Sequence, residues 1–107
     1  MKAKLIDILL EKEYPLDESK VITIGRFSKN DIVVPNTFNN VSRSQAVIAY
    51  NQKLEKYIIV DNFSFEGTYV NGKRTDREIL NNDDEIKLGN ETCYKFIFKE
   101  EKEQEEK

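Results

Sequence analysis

Between residues 64 and 72 the chain reads Ser64-Phe65-Glu66-Gly67-Thr68-Tyr69-Val70-Asn71-Gly72, a polar loop running into three strand-forming residues and out through Asn-Gly. Thr68 to Val70 are β-branched or aromatic and suit a pleated, half-buried surface. Asn71-Gly72 is a strong two-residue turn signal, because both residues tolerate positive φ. The same texture extends outward in both directions. Short aromatic and β-branched runs alternate with Asn, Asp, Gly and Ser, with turn signals about every 8 to 12 residues, the pattern of an all-β sandwich or barrel. No long segment carries a helical apolar stripe.

The runs predict strands at Lys4 to Leu10, Val21 to Gly25, Asp31 to Val34, Ala46 to Tyr50, Tyr57 to Asp61, Thr68 to Val70, Glu85 to Leu88 and Cys93 to Lys99. In the last, Tyr94, Phe96 and Phe98 share one face while Lys95 and Lys99 share the other, so one side should be buried. Glu11 to Glu13 read as loop charges. Long polar loops at Phe27 to Asn30 and Pro35 to Ser44 fall where a sandwich displays its end loops, a common place for function. Residues 1–99 form the expected domain, and the Glu- and Lys-rich residues 100–107 form a charged tail too polar to pack.

With 107 residues the chain has room for one core. It contains no His and one Cys. Ser-His-Asp and Cys-His nucleophilic systems, His-ligated metals, disulfide frameworks and Cys-based zinc sites are therefore excluded. Seventeen basic against twenty acidic residues leave a net charge of −3, which gives no electrostatic basis for non-specific binding to nucleic acid or anionic membrane. No apolar run approaches the roughly 18 to 20 residues of a membrane span, and the first ten residues read as a strand rather than a signal peptide. A cytoplasmic monomer without cofactor is the expectation. Asn82-Asp83-Asp84-Glu85 lacks the ligand spacing of a calcium loop and reads as a solvated turn. Cys93 reads as a small apolar strand residue.

Three loop motifs stand in order: Gly25-Arg26 at a strand end, Ser42-Arg43 before the next hairpin, and Ser64 to Gly72. They are followed by Leu80-Asn81-Asn82-Asp83-Asp84-Glu85-Ile86 and Leu88-Gly89. From about Val21 to Phe98 this series resembles the forkhead-associated (FHA) domain family. The resemblance implies a β-sandwich of about eleven strands in two antiparallel or mixed sheets, with loops at one end that bind phosphothreonine peptides. It also implies roles: Arg26 for the main phosphate contact, Ser42 for a hydroxyl donor, Arg43 for a second, more exposed cation. Gln45 stands where the family usually has a bracing His, a task its amide can perform. Gly25, Gly67, Gly72 and Gly89 read as turn residues, Gly25 letting the chain turn so that Arg26 faces the site.

The chemistry fits independently. A phosphate brings nearly two negative charges and three acceptor oxygens, best met by a guanidinium fork, hydroxyls and backbone N–H groups. Arginine is scarce, four against thirteen lysines, yet two of the four lie in these loops. Two departures oppose the fit. A frequent Thr or Ser of the family is Phe65, and the Asn that holds peptide backbone is Glu66. At about 6 Å and an effective dielectric near 20, one like-charge pair costs on the order of 2 to 3 kcal/mol before screening. Glu66 could instead pair with Arg26 or Arg43 in the empty site. Asp83, where the family favours Gly, tolerates a left-handed turn.

Three functions compete. The first is a non-enzymatic module binding phosphothreonine segments of partners in Ser/Thr-kinase signalling. The second is a degenerate FHA-like scaffold that binds partners without phosphate, motivated by Phe65 and Glu66. The third, a small nucleic-acid-binding barrel, rests only on Tyr50, Tyr57, Tyr69 and a few basic loop residues, and net acidity opposes it. No nucleophile with a base, positioned carboxylate pair or cofactor loop suggests an enzyme.

Overall fold

The computed structural model describes residues 2–90 and 92–99; the charged stretch 100–107 lies outside the described residues. Eleven strands follow in chain order: β1 (Lys2–Asp7), β2 (Lys12–Leu16), β3 (Ile22–Gly25), β4 (Ile32–Val33), β5 (Ala46–Asn51), β6 (Lys56–Asp61), β7 (Thr68–Val70), β8 (Lys73–Arg74), β9 (Arg77–Leu80), β10 (Glu85–Leu88) and β11 (Thr92–Lys99). They form a six-stranded sheet, β2-β1-β11-β10-β7-β8, and a five-stranded sheet, β4-β3-β5-β6-β9. The pairings are antiparallel except β3 with β4, where Ile24 faces Ile32 in parallel register, so the second sheet is mixed. This is the expected all-β sandwich.

Alternation builds the core. Tyr94, Phe96 and Phe98 of β11 are buried, as are Ile86 and Leu88 of β10, and they meet Ile24, Ile48, Ile59 and Leu80 of the other sheet in one cluster. Tyr57 joins the layers, its ring edge-on to Phe96 and Phe98, both at 5.8 Å between centroids. Each such side chain contributes about 1.5 to 3 kcal/mol by leaving water. Burial pushes the Tyr57 phenol up to about 12 and raises the Tyr94 phenol as well, because the charged form is poorly solvated there.

Two corrections to the expected strands have physical causes. The first strand ends at Asp7, not Leu10, because the buried Asp7 carboxylate accepts the N–H groups of Leu9 and Leu10, each at 3.0 Å, and turns the chain. Glu11 to Glu13 are not all loop. Lys12 and Glu13 begin β2, pairing opposite Asp7 and Ile6. The expected list lacked β2, β8 and β9, and each of these borders its sheet. An edge strand takes its register from one neighbour's hydrogen bonds and need not show its own apolar alternation; Arg77 to Leu80, for instance, buries only Leu80.

Candidate functional site

The β3–β4, β4–β5 and β6–β7 loops meet at one end of the sandwich. Val34 and Val41, 1% and 0% exposed, pin the two ends of the β4–β5 loop into the core, and Phe38 packs against the core between them. Asn30 ties the first two loops together, donating from Nδ2 to the carbonyls of Phe27 (2.9 Å) and Arg43 (2.8 Å). Gly25 sits at this crossing. A Cβ there would strike the Arg43 carbonyl and stand 2.9 Å from Asn30 Nδ2, and the residue has no positive φ. Its requirement is therefore space for a close backbone approach rather than the expected turn. At Gly72 the turn reading does hold, with φ +84° and open space around it.

Arg26 emerges directly from that crossing. Its backbone N–H donates to the Ser42 carbonyl (3.2 Å), its Nε to the Val41 carbonyl (2.6 Å), and Nη1 to Asn36 Oδ1 (3.5 Å). The guanidinium is thus aimed by a core-anchored carbonyl while Nη2 has no hydrogen-bond partner among the described residues. Arg26, Phe27, Ser28, Asn36 and Arg43 line an open depression of about 380 Å³. Ser42 Oγ accepts the Phe65 N–H at 3.0 Å, which leaves its own proton available to a ligand. The Arg43 side chain is exposed.

Beneath the loops lies a connected polar brace. Gln45, fully buried, accepts the Ser42 N–H on Oε1 (2.8 Å) and donates from Nε2 to the Gly67 carbonyl (2.8 Å) and Thr68 Oγ1 (3.0 Å). The Thr68 hydroxyl donates to Asp61 Oδ1 (2.7 Å), which also accepts from the Ser64 hydroxyl (2.5 Å). Ser64 Oγ then accepts the Gly67 N–H (3.0 Å). The amide does the bracing expected of it. Asn71 belongs to the far end: it bridges Asp84 Oδ1 and the Glu85 N–H, both at 2.9 Å, and holds the β7–β8 turn. Asp83 adopts φ +74°, the left-handed turn its side chain tolerates.

Phe65 is 85% exposed and neighbouring Phe63 98% exposed, while Glu66 is half-buried. The described ion pairs are Lys4–Glu13 at 3.0 Å and Lys73–Glu78 at 4.0 Å. Glu66 therefore does not pair with Arg26 or Arg43 as anticipated. An exposed pair gains at most about 1 kcal/mol and costs side-chain freedom, so nothing compels it. Asp84 spends its carboxylate on Asn71 and the Asn81 N–H, and among the described residues no group of three Cys, Asp or Glu gathers as metal ligands would. Sequence reasoning overlooked Asn30, Asn36 and the Asp61–Ser64 pair; the Asp-x-x-Ser spacing, a common local side-chain-to-backbone motif, was the available signal for the last.

A two-sheet sandwich presenting two arginines and a hydroxyl from loops at one end has the architecture of a β-sandwich recognition module. The FHA domain profile matches residues 22–89, more than half of the chain, which belongs to that family. It is 38% identical over 69 residues to the ABC transporter ATP-binding/permease protein Rv1747 of Mycobacterium tuberculosis (strain ATCC 25618 / H37Rv), covering 64% of this chain and 8% of that protein. Among solved structures it is similar to Mycobacterium tuberculosis EmbR in complex with a low affinity phosphopeptide, with TM-score 0.78, 34% identity, and 90% of this chain and 24% of that one covered. It is also similar to the FhaA FHA domain complexed with the intracellular domain of Rv3910, with TM-score 0.77, 25% identity, and 88% and 98% covered. The chain spans under a tenth of Rv1747 and about a quarter of the EmbR chain.

Proposed function

We propose that this domain is a non-enzymatic interaction module that binds phosphothreonine segments of partner proteins, with Arg26 and Ser42 on the phosphate and Arg43 at its edge. One observation carries the reading: Arg26 is aimed into the depression by the core-anchored Val41 carbonyl, beside the free proton of Ser42 and without an ion-pair partner among the described residues. Paired guanidinium N–H groups match phosphate oxygens. The phosphopeptide bound by EmbR supports the same chemistry. Gly25, Gln45, Gly67 and Thr68 hold the loops, and Asn71 and Gly72 the β7–β8 turn; Phe65 and Glu66 border the ligand. In this reading residues 1–99 are the domain, 100–107 a charged tail, and the module acts as a cytoplasmic monomer in Ser/Thr-kinase signalling.

Isothermal titration with matched threonine, phosphothreonine and phosphoserine peptides tests the proposal. Binding should require phosphothreonine and fall about 100-fold in Arg26→Ala, or about 2.7 kcal/mol for charge-assisted bonds. Equal affinities for all three peptides, unchanged by that substitution, would leave the second reading. That alternative, a scaffold binding without phosphate, draws on the exposed Phe65 ring and on Glu66, which has no ion-pair partner among the described residues.

A further inference from the structure

The two outward faces of the sandwich differ in kind. That of the six-stranded sheet is charged: Lys4, Glu13, Glu85, Lys87 and Lys95 alternate with the inward residues of their strands, and Lys4 pairs with Glu13. On the five-stranded sheet the corresponding positions are apolar. Val47 and Ala49 of β5 stand opposite Val60 and Ile58 of β6, and Ile58 stands opposite the exposed Ile79 of β9. They alternate with the core residues Ile48, Ile59 and Leu80. Ile58 is 6% exposed yet lies outside the core cluster. Contiguous apolar surface of this kind marks an interaction site.

Along one row of this face, charge returns at both borders with opposite signs. The row runs Thr23, Val47, Val60, Arg77 in register across β3, β5, β6 and β9. Asp31 stands at its β3 border, where its carboxylate accepts the Thr23 N–H at 2.9 Å and the Thr23 hydroxyl at 3.2 Å. Exposed Arg77 stands at the β9 border. Neither has an ion-pair partner among the described residues. Lys56 ends the block along the strands, with Nζ donating to Asn81 Oδ1 at 3.3 Å.

A surface acidic at one border, apolar in the middle and basic at the other is complementary to itself. A two-fold rotation about an axis parallel to the strands, between β5 and β6, lays β5 of one copy over β6 of a second and β3 over β9. Val47 then meets Val60, Ala49 meets Ile58, and Asp31 of each copy meets Arg77 of the other. An axis across the strands would set Asp31 over Asp31 and Arg77 over Arg77, so charge selects the first arrangement. Four strands about 4.8 Å apart and two side-chain rows about 7 Å apart cover roughly 270 Å² per copy. That is about a third of the roughly 800 Å² per partner of a stable interface, so the contact is transient.

We propose that the outer face of the five-stranded sheet is a self-association surface, joining two copies into a weak two-fold dimer with a Kd on the order of 0.1 to 1 mM. In dilute solution the domain is the monomer of the reading above. The association needs no phosphothreonine ligand, and because the axis follows the strands, the loop ends of both copies point the same way.

Sedimentation equilibrium of the whole chain tests the proposal. Between about 10 µM and about 1 mM, the weight-average mass should rise from that of a monomer to about 1.5 to 1.8 times that value. Val47→Lys should hold it at the monomer mass. Arg77→Glu and Asp31→Lys should each weaken association about tenfold, since each sets like charges against one another. Mixed in equal amounts, these two variants should recover association to within about threefold of the unaltered chain, because every mixed dimer carries two opposite-charge pairs. Asp31→Lys also gives up the bonds to Thr23, so the mixture is the decisive arm, and urea midpoints check that each variant folds. Affinity for a phosphothreonine peptide at low micromolar domain should be the same in Arg77→Glu as in the unaltered chain, which separates failure of association from failure of the phosphothreonine reading. A chain still monomeric at about 1 mM, an association that survives Val47→Lys, or a mixture that associates no better than its separate components overturns the inference.

Discussion

Gln45, Thr68, Asp61 and Ser64, under the apical loops, spend their polar atoms on one another and on loop backbone, at distances of 2.5 to 3.0 Å. Phe63, Phe65, Glu66 and Arg43, on the same loops, do the opposite: the two rings face water and the two charges have no ion-pair partner among the described residues. The lower layer is bound by burial, because an unsatisfied polar group there costs about 1 to 3 kcal/mol. The rim carries no such penalty and is free to change. Loop shape and ligand chemistry are thus set by different residues, and divergence at Phe65 and Glu66 leaves the framework of the site intact.

The contrast is broken most severely by Gln45→Leu, which keeps the bulk but strands the Ser42 N–H and the Gly67 carbonyl in a buried layer. Urea denaturation should register a loss of about 3 kcal/mol; a change below about 1 kcal/mol would mean that the brace is dispensable. Glu66→Asn acts on the rim alone. It should leave the urea midpoint unchanged and raise phosphothreonine-peptide affinity about tenfold, since part of the like-charge cost of roughly 2 to 3 kcal/mol is screened in an open site. A gain far smaller than this would favour the phosphate-independent scaffold. The smallest effect belongs to Arg43→Ala. An exposed guanidinium at the edge of the phosphate is worth about 0.5 to 1 kcal/mol, so affinity should fall three- to fivefold, the loss shrinking as salt is added.

Legibility in the sequence followed the same division between buried and exposed. The central strands β5 and β11 announce themselves through buried alternation such as Tyr94, Phe96 and Phe98, and β6 through the unbroken apolar run Tyr57 to Val60, while β7 and β10 match their expected bounds. The edge strands β2, β8 and β9 carry no such pattern; Lys73-Arg74 is two exposed residues that become a strand only by pairing with Val70 and Tyr69. Arg26, Ser42, Arg43 and Gln45 were legible as motif residues through the resemblance of the ordered loop motifs to the FHA family. Asn36 and Arg74 were not, since each reaches its neighbour through a contact that no local spacing encodes.

Local chemistry in the chain alone determined the all-β class, the turn at Asn71-Gly72 and the absence of histidine chemistry, because each depends on residue type within a short window. Tertiary structure alone decided that Gly25 serves a close approach to the Arg43 carbonyl, that Glu66 has no ion-pair partner among the described residues, and that Arg26 and Arg43 line one depression. These depend on distances between segments far apart in the chain, which packing of the two sheets sets and residue spacing does not.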